Sequence, residues 1–332
     1  MEQNINSGLQ LAVRPRVIPI QEEQAYSSGS AFIEANTSEC DLSEMKKHHT
    51  IPVWLKDNEP LISHADFVET AYTIVKDIYC HEQVLKPNIR VSHPIKGRVP
   101  SAKDKAAHLL TEDERTLFYE RMMFVIEIPG IQAEVGGNLL SLTVGGVKSY
   151  SEDNFYQRSG AEQHFKFFIG FQNKVCTNLC IWSDGYKSNI AAKGLDDLYL
   201  FIHSLVKRYN AGYHLHHLRS LNDYCLSEQQ FAQIIGRMRM YNHLPNAMRG
   251  GINEMLLTDT QVGLVVKDFY RDSSFCRGAD GTINLWKLYN LFTGANKSSY
   301  IDSFLDRSVN AFSFVSQIRW ALEGKEECWY LG

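Results

Sequence analysis

Between Glu120 and Trp182 apolar residues recur at every second position, and from Leu195 onward they recur with a spacing near 3.6. The first spacing sends alternate side chains to opposite faces of a strand, and the second lines them along one side of a helix. In the β-like part Phe124, Ile126 and Ile128 alternate with Val125 and Glu127, while Leu140, Leu142 and Val144 alternate with Ser141 and Thr143. Gly136-Gly137-Asn138 between them supplies the positive φ angles of a tight hairpin. Gly145-Gly146 marks a bulge or a close backbone approach. Phe165, Phe167, Ile169 and Phe171 then share one face, Gln172-Asn173-Lys174 makes a turn, and the run from Val175 to Ile181 reads as extended chain. The pattern predicts an antiparallel meander of about four or five strands.

In the second half, Leu195, Leu198, Tyr199, Ile202, Leu205, Val206 and Tyr209 form an amphipathic stripe, and this helix is expected to cover the sheet. Ser227 and Gln230 form a capping box for a helix bearing Phe231, Ile234, Ile235 and Met238 that stops before Pro245. A third helix carries Val262, Val265, Val266 and Phe269, and two or three more fill the stretch from Ile283 to Leu322. Upstream, Ser63 and Asp66 start a helix with the stripe Phe67, Ala71, Ile74, Val75 and Ile78. Three prolines and Gly97 break the segment 86–108 into a strand fragment and an extended loop, and Thr111 with Glu114 starts a brief helix after it. The fold class is therefore α+β: an antiparallel β-meander covered by a helix, followed by a mostly helical C-terminal half. The expected organisation is a polar, mobile N-terminal arm over 1–30, an α+β domain over 31–210, and a helical region over 211–332 packed on it.

Composition changes this picture little, but charge adds to it. With 332 residues, 44% hydrophobic and 22% charged, the chain has ample core material, and its net charge of -4 excludes a uniformly basic surface. Charge is unevenly placed. Residues 1–82 hold thirteen acidic and six basic groups, whereas 86–108 hold six basic groups against Asp104 alone. Seven scattered cysteines with no secretory signal, and no uncharged apolar run near the ~20 residues of a membrane span, point to a reduced, cytoplasmic, non-membrane protein.

The basic segments carry the best functional signal. Arg90, His93, Lys96, Arg98, Lys103 and Lys105 in segment 86–108 are candidates to line a phosphate path. Arg237, Arg239 and Tyr241, in a second segment over 237–249, interleave cations with a ring, and single-strand binders need that combination. Met238 is assigned to the core and those three are expected to face outward. Other constellations have plainer readings. On a strand Cys176 and Cys180 would lie about 13 Å apart, too far for one metal ion, so they read as small buried hydrophobes. His214, His216 and His217 lack acidic or cysteine partners at ligand spacing and read as a packed loop, and His48-His49 are weaker still. No metal, cofactor or catalytic residue is assigned, because no phosphate-loop, nucleophile-elbow or paired-histidine zinc motif is present. Asn173 and Asn178 are the least explained polar residues of this stretch, and Asn178, set among apolar neighbours, needs buried partners and is a candidate for holding sheet and helices together.

The runs RVSHPIKGRVP, LFYERMMFVIEIPGI, SLTVGGVKSY, FFIGFQNKVCTNLCIWSDG and LWKLYNLFTGANKSSYIDSFLDR occur in that order. Together they resemble an uncharacterised family, catalogued as a domain of unknown function, carried on conjugative and prophage-like elements of Bacteroidetes. The likeness runs from about Phe32 to the C-terminal Trp329-Tyr330-Leu331. N-K-V-C-T-N and L-Y-N-L-F-T also resemble short motifs of the broader phage/plasmid-like family. The resemblance implies an accessory protein of a mobile genetic element. With the basic segments, it makes a non-catalytic nucleic-acid-binding protein, favouring single-stranded DNA, the expected function. The alternatives are a protein-interaction factor in anti-defence or copy control, and an enzyme with a dispersed site.

Overall fold

The computed structural model describes residues 31–51, 61–154 and 162–332. The arm expected over 1–30, and the rest of the polar loop that follows Asn154, lie outside the described residues. Among these residues the first half contains β1 (Thr37–Glu39), α1 (Leu42–His48), α2 (His64–Ile78), β2 (Asn88–Ser92), β3 (Ile95–Arg98), β4 (Arg115–Phe118), β5 (Arg121–Val135), β6 (Asn138–Ser149), α3 (Tyr150–Asn154) and β7 (Gln163–Asn173). The second half contains β8 (Leu179–Cys180), β9 (Tyr186–Ala192), α4 (Leu195–Arg208), α5 (Ala211–Ser220), β10 (Cys225–Leu226), α6 (Glu228–Tyr241), α7 (Asn246–Arg249), α8 (Asp259–Arg271), β11 (Ile283–Asn284), α9 (Leu285–Asn296) and α10 (Ile301–Leu322). The fold is α+β, with its helices concentrated in the C-terminal half.

The main sheet has the antiparallel order β1-β2-β5-β6-β7-β8, and β9 also pairs with β7. Its centre is the meander β5-β6-β7 that the period-two pattern predicts. Gly136 and Gly137, at φ 55° and 75°, close the β5–β6 hairpin in the left-handed conformation that glycine adopts without a Cβ clash. The bulge falls at Pro129-Gly130-Ile131 in β5, because a proline inside a strand cannot donate to the ladder. Gly145 and Gly146 serve close approach: a Cβ on either would strike the Phe124 carbonyl or the Phe67 ring.

Phe124, Ile126, Val144, Phe165, Phe167, Ile169 and Phe171 form one sheet face and join the core with α2 and α4. α2 starts on the expected capping box, with Asp66 accepting from the Ser63 amide and Ser63 accepting from the Asp66 amide. Phe67, Ala71, Ile74 and Val75 are buried beneath it. The opposite face is also covered, which the alternation did not predict. There Met123, Val125, Val147 and Phe168 pack against Ile301, Phe304 and Leu305 at the start of α10.

Three local expectations change. The His214–His217 stretch is helix α5, not a loop; Asn210 caps it, and His214 is buried with Nδ1 2.6 Å from the Tyr209 hydroxyl. The run after Lys174 is not a continuous strand: the chain turns at 174–177 with Thr177 at φ 57°, and Leu179–Cys180 rejoins β7. The Thr111–Glu114 capping box is present but starts a 3-10 turn, Glu112–Glu114.

Candidate nucleic-acid interface

β2 pairs with β5, with Asn88 opposite Val125 and Val91 opposite Met122; β3 pairs with β4, with Ile95 opposite Phe118 and Arg98 opposite Arg115. The two ladders share one register, so β3 and β4 prolong the β2–β5 ribbon past the sheet. The interruption is at His93-Pro94, where proline lacks the N–H a ladder needs. The product is a two-stranded arm whose connecting loop carries the 3-10 turns Pro100–Ala102, Ala107–Leu109 and Glu112–Glu114.

Most of the predicted cations in this segment have local partners. Arg90 ties β2 to β1, donating from Nε to Thr37 Oγ1 at 3.1 Å and from Nη2 to the Thr37 carbonyl at 2.9 Å. His93 Nε2 lies 3.0 Å from Asn36 Oδ1. Arg98 turns into its own loop and donates to the carbonyls of Lys103 and Lys105. Lys105 pairs with Glu114 at 2.5 Å, and that contact leads the interactions that hold the Glu114 carboxyl down at about 2. Arg115 pairs with Glu112 at 2.6 Å. Lys96 and Lys103 are exposed, and among the described residues no ion pair engages them. Across 95–118 five cations (Lys96, Arg98, Lys103, Lys105, Arg115) face four acids (Asp104, Glu112, Asp113, Glu114). The basic window read from the sequence ends just before the acidic turn that folds back on it.

The second segment is further from expectation. Tyr241 is 6% exposed and packs near Tyr330, so it offers no face to a base. It lies three residues after buried Met238, which places both on the inner side of α6. Arg237 donates to the Trp329 carbonyl and lies 5.3 Å from that ring's centroid, fastening the C-terminal residues to the helix. Arg239 is exposed and faces Asp259 at 3.6 Å. The segments are also rooted far apart. The arm joins the start of β5, whereas the chain leading into α6 passes Gly136 beyond its end, where Asn222 and Trp286 pack. Fifteen residues of β5 separate these roots, about 50 Å of strand.

The arm's root holds a cluster that sequence reading passed over. His49 and His64 stack with centroids 5.1 Å apart, and Tyr150 lies 4.2 Å from His64. The Tyr119 peptide touches both imidazoles: its N–H donates to His49 Nδ1 at 3.1 Å, and its carbonyl accepts from His64 Nε2 at 2.9 Å. The His49 nitrogen that accepts carries no proton, so that ring is neutral. Burial pushes His49 down to about 4 and His64 well below the usual histidine value. Beneath them Lys148 and Asp153 form a buried ion pair at 3.0 Å, with the ammonium 4.0 Å from the Phe165 centroid. The signal available in the sequence was weak, because His49, Tyr119 and Tyr150 come from unrelated segments. Among the described residues no group of three or more His, Cys, Asp or Glu side chains could hold a metal ion.

A second buried cluster joins sheet and helices through the asparagines singled out above. Asn173 Nδ2 donates to Asn290 Oδ1 at 3.2 Å, and Asn178 Nδ2 donates to the Asn290 carbonyl at 3.0 Å. Lys297 donates to the Cys176 carbonyl and to Thr177 Oγ1. The runs N-K-V-C-T-N and L-Y-N-L-F-T thus meet in space. Cys180 is buried and Cys176 partly so; burial raises both thiols, Cys176 to about 11, which keeps them from nucleophilic use near neutrality.

Residues 15–331 match the model of a family described as a domain of unknown function, B. theta gene description (DUF3871). The chain belongs to this family. The DUF3871 match takes in the sheet, the arm and all the C-terminal helices. No curated protein and no solved structure matches the chain. No helix among the described residues is long and apolar enough to cross a membrane.

Proposed function

We propose that the protein is a non-catalytic nucleic-acid-binding accessory of a mobile genetic element, acting in the bacterial cytoplasm and contacting phosphates through the β3–β4 arm. The observation that carries this reading is the shared register that extends the β2–β5 ribbon beyond the sheet, with Lys96 exposed on it and Lys103 exposed on its connecting loop. A two-stranded ribbon fits the major groove of a duplex. Single-strand binding needs exposed rings for bases to stack on. The ring assigned to that role, Tyr241, is buried, so a duplex replaces the single strand as the favoured ligand. Arg237 and Arg239 belong to the body of the protein in this reading, and Arg98 shapes the loop that presents Lys103.

The test is binding of labelled duplex and single-stranded DNA across a salt series. The double change Lys96→Ala with Lys103→Ala should weaken duplex binding and reduce the slope of log K against log salt by about 1.8, two phosphates at ~0.9 each. An unchanged slope, or no binding at low salt, ends the reading. A protein-interaction role is the second reading. It is favoured by Ile95 and Leu109, which are exposed on the same arm, and it predicts that Ile95→Ser abolishes capture of a protein partner while leaving DNA binding unaltered.

A further inference from the structure

The outward side of α4 combines exposed apolar residues with charges of opposite sign at its two ends. Leu198, Ile202, Leu205 and Val206 point into the core. At 100° per residue the side away from the core carries Asp196, Asp197, Leu200, Ser204, Lys207 and Arg208, with Phe201 on its flank. Leu200 is 66% exposed and Phe201 51%, and they are the only sequence neighbours among the exposed large hydrophobics of the described residues. Acids stand before this pair and bases after it.

The bland account of those charges is the helix dipole, which favours acids in the first turn and bases in the last. Asp197 also accepts from the Lys193 amide at 3.0 Å. The dipole does not account for two large apolar side chains left in water between the charges. We propose that this face is the interface between two copies of the chain, with their α4 helices antiparallel about a two-fold axis near residue 202. In that register Asp196 lies opposite Arg208 of the second copy, Asp197 opposite Lys207 and Leu200 opposite Ser204, while the two copies of Phe201 meet beside the axis. Each contact occurs twice, as an isologous interface requires. The helix has fourteen residues, about 21 Å of length. Such a face buries less than the ~800 Å² per partner of a standard interface, so the dimer is weak, with a dissociation constant of micromolar order.

Sedimentation equilibrium between about 1 and 100 μM spans that range. The expected result is a monomer–dimer equilibrium for the wild type. Asp196→Lys and Arg208→Glu each place like charges opposite one another, and each should raise the dissociation constant at least about tenfold. An equimolar mixture of the two variants should dimerise again, because each supplies the charge the other lacks. Both residues are exposed, and Leu200→Ser serves as a charge-independent variant that should also favour the monomer. A wild type that stays monomeric at the highest concentration overturns the proposal, as does dimerisation of either charge variant alone at wild-type strength.

Discussion

The β3–β4 arm and helix α6 contain comparable strings of cations, yet the two regions treat them differently. On the arm, Lys96 and Lys103 extend from a ribbon rooted at one end of β5. On α6, Arg237 binds the C-terminal backbone, Arg239 faces Asp259, and the intervening positions alternate between core and solvent. Lys96 and Lys103 meet no ion-pair partner among the described residues, whereas helix α6, packed on the domain, brings a carbonyl and a carboxylate within reach of its arginines. A basic run is therefore a binding signal only after its internal partners are subtracted.

Three measurements would break or sharpen this contrast. The largest effect is expected from Tyr241→Ala, which removes a ring buried against Tyr330. Calorimetric or denaturant unfolding should reveal a loss of about 3 to 5 kcal/mol; lost DNA binding with unaltered stability would return Tyr241 to the binding face. Next is the arm's root. His49 is held neutral at about 4 by burial, while in the unfolded chain it titrates near 6.5. Its contribution is full above pH 6.5, falls as the pH drops because the unfolded state takes the proton first, and stops changing below about 4. The loss from this group is about 3 kcal/mol. Unfolding followed from pH 7 to 4.5 should show that slope, and His49→Gln should lack about that share of it. A wild-type curve flat over the window would mean that the ring is not buried. The smallest effect is expected from Arg239→Ala, whose exposed partner Asp259 lies at 3.6 Å. Stability should change by less than about 1 kcal/mol and the salt slope of DNA binding not at all; a shallower slope would put α6 in the interface.

Much of the fold was legible because each element announces itself locally. The Ser63-Asp66 and Ser227-Gln230 capping boxes, the Gly136-Gly137 hairpin and the phenylalanine alternation of β7 depend on residues within a few positions of one another. Asn178 was legible for a related reason, since a polar amide inside an apolar run must find a partner, and Asn290 supplies it. The arm's root was not legible. His49, His64, Tyr119 and Tyr150 are brought together by the α2 packing and the β4–β5 connection, and no spacing in the chain encodes their contact.

What the sequence determined by itself was periodicity: the strands β5, β6 and β7, the helices α2, α4, α6, α8, α9 and α10, and the apolar side of each. These follow from backbone geometry and short-range sterics. Only the tertiary structure decided that the sheet is covered on both faces, that Tyr241 turns inward, that the acidic turn at Glu112–Glu114 offsets the basic segment before it, and that the two basic segments root at opposite ends of β5. Each of these depends on which distant residues become neighbours. Coulomb energy and burial depend on that distance in space, and separation along the chain does not fix it.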